Sequence, residues 1–211
     1  MDAFRTTASR LATLFGLALL IPACDESDGP AGLSDRTAVT VLLTDAPGDV
    51  AHAWVVVREI YLQGGGDEDE ENTAGGRTIL FAGPSEPIDL VQLSDAAVEI
   101  GAALVPARRY GQLRVVLDGA AVEIEGEGVF ATEGFDPPGS TTLAGELVCP
   151  SCDTSGFKVL LQGRDLDLLD PEELLVLDFD VSDSFLRQAG MSGRWIVSPV
   201  IKLFGAATDA D

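Results

Sequence analysis

The sequence predicts an all-β fold, a two-sheet antiparallel β-sandwich with at most a short helix, and three observations predict it. From residue 37 on, apolar residues alternate with polar ones or gather in short Val, Leu and Ile runs, and few segments show the 3.6-residue spacing of a long helix. Gly, Pro and Asp punctuate these runs at the short intervals that tight turns need. Of 211 residues, 46% are apolar and 23% charged, enough apolar surface to bury one core in one domain.

The strands follow in order. Ala38–Leu43, Ala53–Leu62 and Thr78–Ala82 alternate or run apolar between turn residues, and Ile88–Leu90 is a short one. Gln112–Leu117 and Ala121–Ile124 flank Asp118 and Gly119, then come Thr141–Val148, Phe157–Gln162, Leu174–Val181 and Trp195–Phe204. That number suits two stacked sheets. Ser94 to Leu104 stays open, because Ser94 or Asp95 would equally cap a short helix through Ala96, Ala97 and Val98. No period of 20 to 50 residues recurs, which argues against a solenoid or propeller.

Charge narrows the partners. Thirteen basic residues against 35 acidic ones leave a formal charge of −22, so a nucleic-acid backbone would meet a repulsive field. The acidic excess is concentrated in loops. Gly64 to Asn72 carries five consecutive acidic groups, Asp67 to Glu71, and no apolar residue, which reads as a solvated loop. A calcium site is the sharper alternative there, but calcium needs six to eight converging oxygens and contiguous carboxylates repel one another.

Residues 1–23 place Arg5 and Arg10 before an apolar run from Leu11 to Ile21, a secretory signal pattern too short to span a bilayer. Ile21-Pro22-Ala23-Cys24 resembles the lipobox of bacterial lipoproteins, in which the Cys thiol takes a diacylglycerol group and becomes the mature N-terminus. The resemblance implies lipidation of Cys24 and a membrane anchor, each buried methylene being worth about 0.8 kcal/mol. Residues 24–36, with Asp25, Gly29, Pro30 and Gly32, read as a flexible tether, 37–205 as a single sandwich domain and 206–211 as a disordered tail. Cleavage after Ala23 removes Asp2, Arg5 and Arg10, and the mature chain, with 34 acidic and 11 basic groups, keeps its acidity.

Cys149-Pro150-Ser151-Cys152 has the spacing of a thiol exchange motif, but a turn and an alternating segment follow it instead of a helix. An oxidising compartment favours a structural disulfide between Cys149 and Cys152. A metal half-site and redox activity are the alternatives, the first short of two further ligands.

Leu43-Thr44-Asp45-Ala46-Pro47-Gly48-Asp49 followed by Trp54–Leu62, Ile88-Asp89-Leu90, Val105–Arg114, Leu177–Phe185 and Trp195–Lys202 occur in an order that resembles the domain-of-unknown-function 4382 family of bacteria and archaea. The resemblance covers about Thr37 to Phe204. It implies an exported, often lipid-anchored β-sandwich with no agreed catalytic activity. Arg108-Arg109 stands where such domains usually place Gly before the Tyr, and the Cys149/Cys152 pair lies in the usual Pro-Ser turn. The Pro106-Ala107-x-x-Tyr110 step also resembles prealbumin-like domains found beside secreted enzymes and carbohydrate binders, a fold-level analogy only.

Three carboxylates are the candidate ligand or metal residues. Asp178 and Asp180 alternate with Leu177, Phe179 and Val181, which puts both on one strand face about 6–7 Å apart. That spacing suits one cation or an acid/base pair, while the simpler reading is that each accepts bonds from backbone or Arg. Asp45 most simply closes its own turn ahead of Pro47. The recurrence of these three across the family is compatible with a shared calcium site, the one cofactor considered.

His52 is the only imidazole, and without a Gly-x-Ser-x-Gly elbow a serine hydrolase is not expected. Trp54, Tyr61, Tyr110 and Trp195 read as core or cross-strand aromatics, although an exposed Trp54 would favour binding. The expectation is a non-enzymatic binding or structural module, lipid-anchored at the cell envelope, whose partner is an envelope protein or a glycan. A calcium-dependent or carbohydrate-binding module is the alternative. A hydrolase built on Asp178 and Asp180 is the third, and it requires an open cleft above them.

Overall fold

The structure, a computed structural model, describes residues 36–45, 50–64, 77–139, 142–161, 165–185, 187–188 and 194–206. The signal segment, Cys24, most of the tether, the acidic run after Gly64 and the end of the tail lie outside the described residues.

The described elements, in order, are β1 (Arg36–Thr44), β2 (His52–Gln63), β3 (Thr78–Ala82), β4 (Ile88–Asp89), a 3-10 turn (Leu90–Leu93) and β5 (Val98–Pro106). Then come β6 (Arg108–Tyr110), β7 (Gln112–Ile124), β8 (Gly128–Ala131), β9 (Gly145–Val148), β10 (Phe157–Lys158) and β11 (Leu166–Leu168). The chain ends with β12 (Glu172–Asp180), α1 (Val181–Phe185), β13 (Arg187–Gln188), β14 (Trp195–Ile196) and β15 (Val200–Ala206). Arg36, at the edge of the expected tether, thus opens a strand, and Ala206 closes one. The protein is an all-β sandwich, with one short α-helix among the described residues.

One sheet runs β15-β12-β1-β5. The larger runs β13-β14-β9-β8-β7-β2-β3, with β10 on β7 and β4 on β2, and β6 pairs with β11 apart from both. One core cluster joins the two large sheets: Val39, Val41, Leu175, Leu177 and Phe179 from the first meet Val55, Ile60, Leu62, Val115 and Leu117 from the second.

The layers match expectation, but not every strand direction does. β1 pairs with β12 in parallel, Ala38 opposite Glu172 through Thr44 opposite Asp178, and β9 pairs in parallel with both β8 and β14. β1 and β12 are far apart in sequence, so no hairpin dictates their relative direction.

Local physics explains several boundaries. In β2, Ala53, Val55 and Val57 face the core and then Ile60 and Leu62 do, a change of parity at the register shifts around Val57. β7 makes the matching change, from Leu113, Val115 and Leu117 to Ala120 and Val122, where Gly119 pairs with Val56 and Leu117 with Val57. The bulge keeps both strands facing inward and joins the two strands expected on either side of Asp118-Gly119 into one. The expected Trp195–Phe204 strand divides instead: around Pro199, which lacks an amide hydrogen, β14 leaves the larger sheet and β15 joins the smaller. The segment left open at Ser94 becomes β5, an edge strand antiparallel to β1. The strand expected to reach Val181 stops at Asp180, and Val181 opens α1.

Arg109 pairs across to the neighbouring strand, while Arg108 lies against an aromatic ring with its buried Nε making no hydrogen bond. Arg109 Nε donates to Asp167 Oδ1 at 2.6 Å across β6 and β11, and the Arg108 guanidinium lies 4.9 Å from the centre of the Tyr110 ring.

Candidate functional site

The three candidate carboxylates converge on one corner of the smaller sheet, because Thr44 pairs with Asp178 and Asp45 follows it directly. All three are buried, at 4% exposure for Asp45 and Asp178 and 8% for Asp180. Asp45 Oδ1 accepts the Val181 amide at 3.1 Å, holding the end of β1 against the start of α1. Asp180 Oδ1 accepts the Asp183 amide at 3.1 Å, capping that helix, and Asp180 Oδ2 receives Lys202 Nζ at 2.7 Å. Lys202 is also the register partner of Asp178 on β15.

Burial alone would push the Asp180 carboxyl up, but hydrogen bonds from Lys202 and the Asp183 amide outweigh it and hold the group below the usual carboxylate range. The Lys202 ammonium is held above its ordinary value, chiefly by the hydrogen bond to Asp180, with the charges of Asp180, Asp178 and Asp183 adding to it against desolvation. Neither of the two clefts described below is lined by Asp45, Asp178 or Asp180. Among the described residues, no group of three or more His, Cys, Asp or Glu side chains is placed to hold a metal ion. The corner ties β1, β12, α1 and β15 together.

Two clefts lie elsewhere. One, of about 400 Å³, is lined by Asp118, Glu133, Glu146 and Asp153 beside Cys149 and Cys152. The two cysteines are joined as a disulfide, with Cα atoms 5.5 Å apart. Their turn is tied to the sheet. Leu117 N donates to Cys152 O at 2.9 Å, Tyr61 Oη to Ser155 O at 3.1 Å, Arg114 Nη1 to Ser155 O at 3.0 Å, and Arg58 bonds the Asp153 carbonyl and lies 3.1 Å from Asp118. No helix starts at the pair, so a stabilised thiolate lacks the setting it needs.

The second cleft, of about 440 Å³, lies on the outer face of the larger sheet and is lined by His52, Trp54, Asp89, Gln92, Glu123, Val129, Pro138 and Gly139. Alternation on β2 puts His52 and Trp54 on one face, where their rings stack at 4.8 Å and 15°. Pairing sets Glu123 of β7 opposite His52, and Asp89 of β4 opposite Trp54. Asp89 accepts three donors: His52 Nδ1 at 2.6 Å, Gln92 Nε2 at 2.9 Å and the Ala53 amide at 3.3 Å. Beneath lies a small apolar cluster of Trp54, Ala121 and Ala131 with Val129 and Phe135 packed on it.

Sequence reasoning set His52 aside for want of a serine partner, and it did not single out Asp89, Gln92 or Glu123. The one legible signal was His52 two residues before Trp54 on a strand. Trp54 itself is buried, as are Tyr61, Tyr110 and Trp195.

A family model described as Domain of unknown function (DUF4382) matches residues 36–199. Neither the curated proteins nor the solved structures contain a match.

Proposed function

The chain belongs to the family of the domain of unknown function DUF4382, and on that premise we propose a non-catalytic binding module exported to the cell envelope and held there by acyl chains on Cys24. The observation that supports it is the contrast between two clusters of polar groups. Asp178 and Asp180, the pair best spaced for hydrolysis, are buried and Asp180 is committed to a helix cap and a lysine. Among the cleft residues, His52 (side chain 42% exposed), Gln92 and Glu123 keep accessible polar surface beside β2 and β7, where side chains suit recognition. The signal pattern ending at Cys24 and the paired Cys149 and Cys152 agree with an oxidising compartment outside the cytoplasm.

The anchor is tested in the native host by mass spectrometry of the N-terminal peptide and by membrane fractionation. Acylated Cys24, with loss of membrane association in a Cys24→Ser chain, is the expected result. An unmodified thiol, or a Cys24→Ser chain that still sediments with membranes, refutes it.

A further inference from the structure

We propose that the cleft bounded by His52, Asp89, Gln92 and Glu123 binds a neutral sugar of one or two rings, an assignment that rests on the binding-module reading above. The first support is preorganisation. Stacking on Trp54 fixes the plane of the His52 ring, and the bond to Asp89 fixes its rotation. With three donors converging on it, Asp89 acts as acceptor throughout, so His52 Nδ1 carries a hydrogen and, in the neutral imidazole, Nε2 is the acceptor of the ring. A side chain already held in place has little rotamer freedom to lose on binding.

The second support is the kind of hydrogen bonding on offer. His52 Nε2, the Gln92 amide oxygen left over once its nitrogen donates to Asp89, and the Glu123 carboxylate opposite His52 are all acceptors within one small space. Their complement is a ligand rich in neighbouring O–H donors. Charge then removes the anionic candidates. The described lining holds two carboxylates and neither Lys nor Arg, in a chain of formal charge −22, so phosphates, carboxylates and acidic glycans are repelled. A polycation is the less suited ligand, because the Asp89 side chain is buried with three protein donors on its two oxygens, which leaves Glu123 as the main carboxylate to meet the charge.

The third support is shape. Val129, Pro138 and the His52 ring give the cleft apolar surface for the C–H face of a pyranose, and about 440 Å³ lies in the range of small-ligand pockets. Placement on β2 and β7 sets it on the most extensively paired strands of the larger sheet.

The test is an NMR titration of the full chain, purified in detergent, with maltose, cellobiose and N,N′-diacetylchitobiose, and separately with spermidine. At least one disaccharide should shift the backbone signals of His52, Ala53, Asp89 and Glu123 saturably, with Kd of about 1 mM or tighter. Glu123→Ala and His52→Ala should each weaken that binding about tenfold. Glu123→Ala decides should the histidine variant unfold. A response to spermidine alone at those residues overturns the sugar assignment and leaves a binding cleft standing. Silence of the cleft towards every probe overturns the assignment and the binding reading together. Sugar binding that both variants leave intact places the sugar elsewhere and overturns the proposal.

Discussion

Lys202 Nζ lies 2.7 Å from one oxygen of Asp180 while the other oxygen takes the Asp183 amide at 3.1 Å, so a single carboxylate joins β15 to the first turn of α1. Both contacts depend on the charged form of the group.

Replacing Asp180 with Ala removes a helix cap and a charged hydrogen bond at once. The cost should be about 2 kcal/mol in urea unfolding, with the lysine contact at the low end of its range because Lys202 is one third exposed. The folded value of Asp180 is depressed, so its contribution is present above the unfolded aspartate value near 3.8 and is lost as pH falls through the folded one. Lys202 is raised, so its contribution is complete below 10.5 and is lost as pH climbs past its folded value. Between these limits Asp180→Asn should lower the unfolding midpoint, and the gap to the parent should narrow as pH falls below 3.8 and through the folded value.

Glu173 works in the opposite sense. Burial first, and the charge of Asp170 second, raise its carboxyl against a backbone hydrogen bond at Asp170. A raised carboxylate disfavours the fold once ionised, and the penalty fades as pH falls through the folded value. Glu173→Gln should therefore raise the melting temperature at pH 7 and leave it unchanged at pH 3. An equal rise at both values would show that charge is not the cause.

The disulfide closes a loop from Cys149 to Cys152 only, so the chain entropy it removes is small. Reduction with dithiothreitol should lower stability by about 2 kcal/mol and leave the far-ultraviolet spectrum unchanged. Loss of the β signal on reduction would mean that the pair does more than clip its turn.

Tyr110 is fully buried, and its hydroxyl donates to Pro106 O at 3.0 Å, four residues back. Tyr110→Phe keeps the ring and deletes that bond. It should cost about 1 kcal/mol in chemical denaturation.

Gly156 has φ 63°, and a Cβ there would stand 2.5 Å from the Val115 carbonyl oxygen. Gly156→Ala combines a left-handed backbone with a clash against a strand that cannot yield. A loss of 2 kcal/mol or more, about the upper end of the conformational cost alone, is the expected measurement.

The strands were legible wherever burial imposed a period of two on the residues themselves. Thr78–Ala82 matches the observed strand at both ends, and Val39, Val41 and Leu43 point inward as their spacing implies. Asp178 and Asp180 were legible as neighbours on one strand for the same reason. What they do was not, because the answer depends on Lys202, on another strand, and on the helix that begins one residue later. The short strands β6, β8 and β11 escaped notice, since three or four residues are too few to establish a period.

Alternation along the chain therefore determined the fold class, the one-sided faces and most strand positions, because each residue carries its own hydrophobicity and its own backbone limits. Tertiary structure alone decided strand partners and directions: that β1 lies parallel to β12, that a bulge turns β2 and β7 together, and that Asp89 reaches His52. Those relations join residues far apart in sequence, and the energy that selects them comes from packing two sheets face to face, which no single segment encodes.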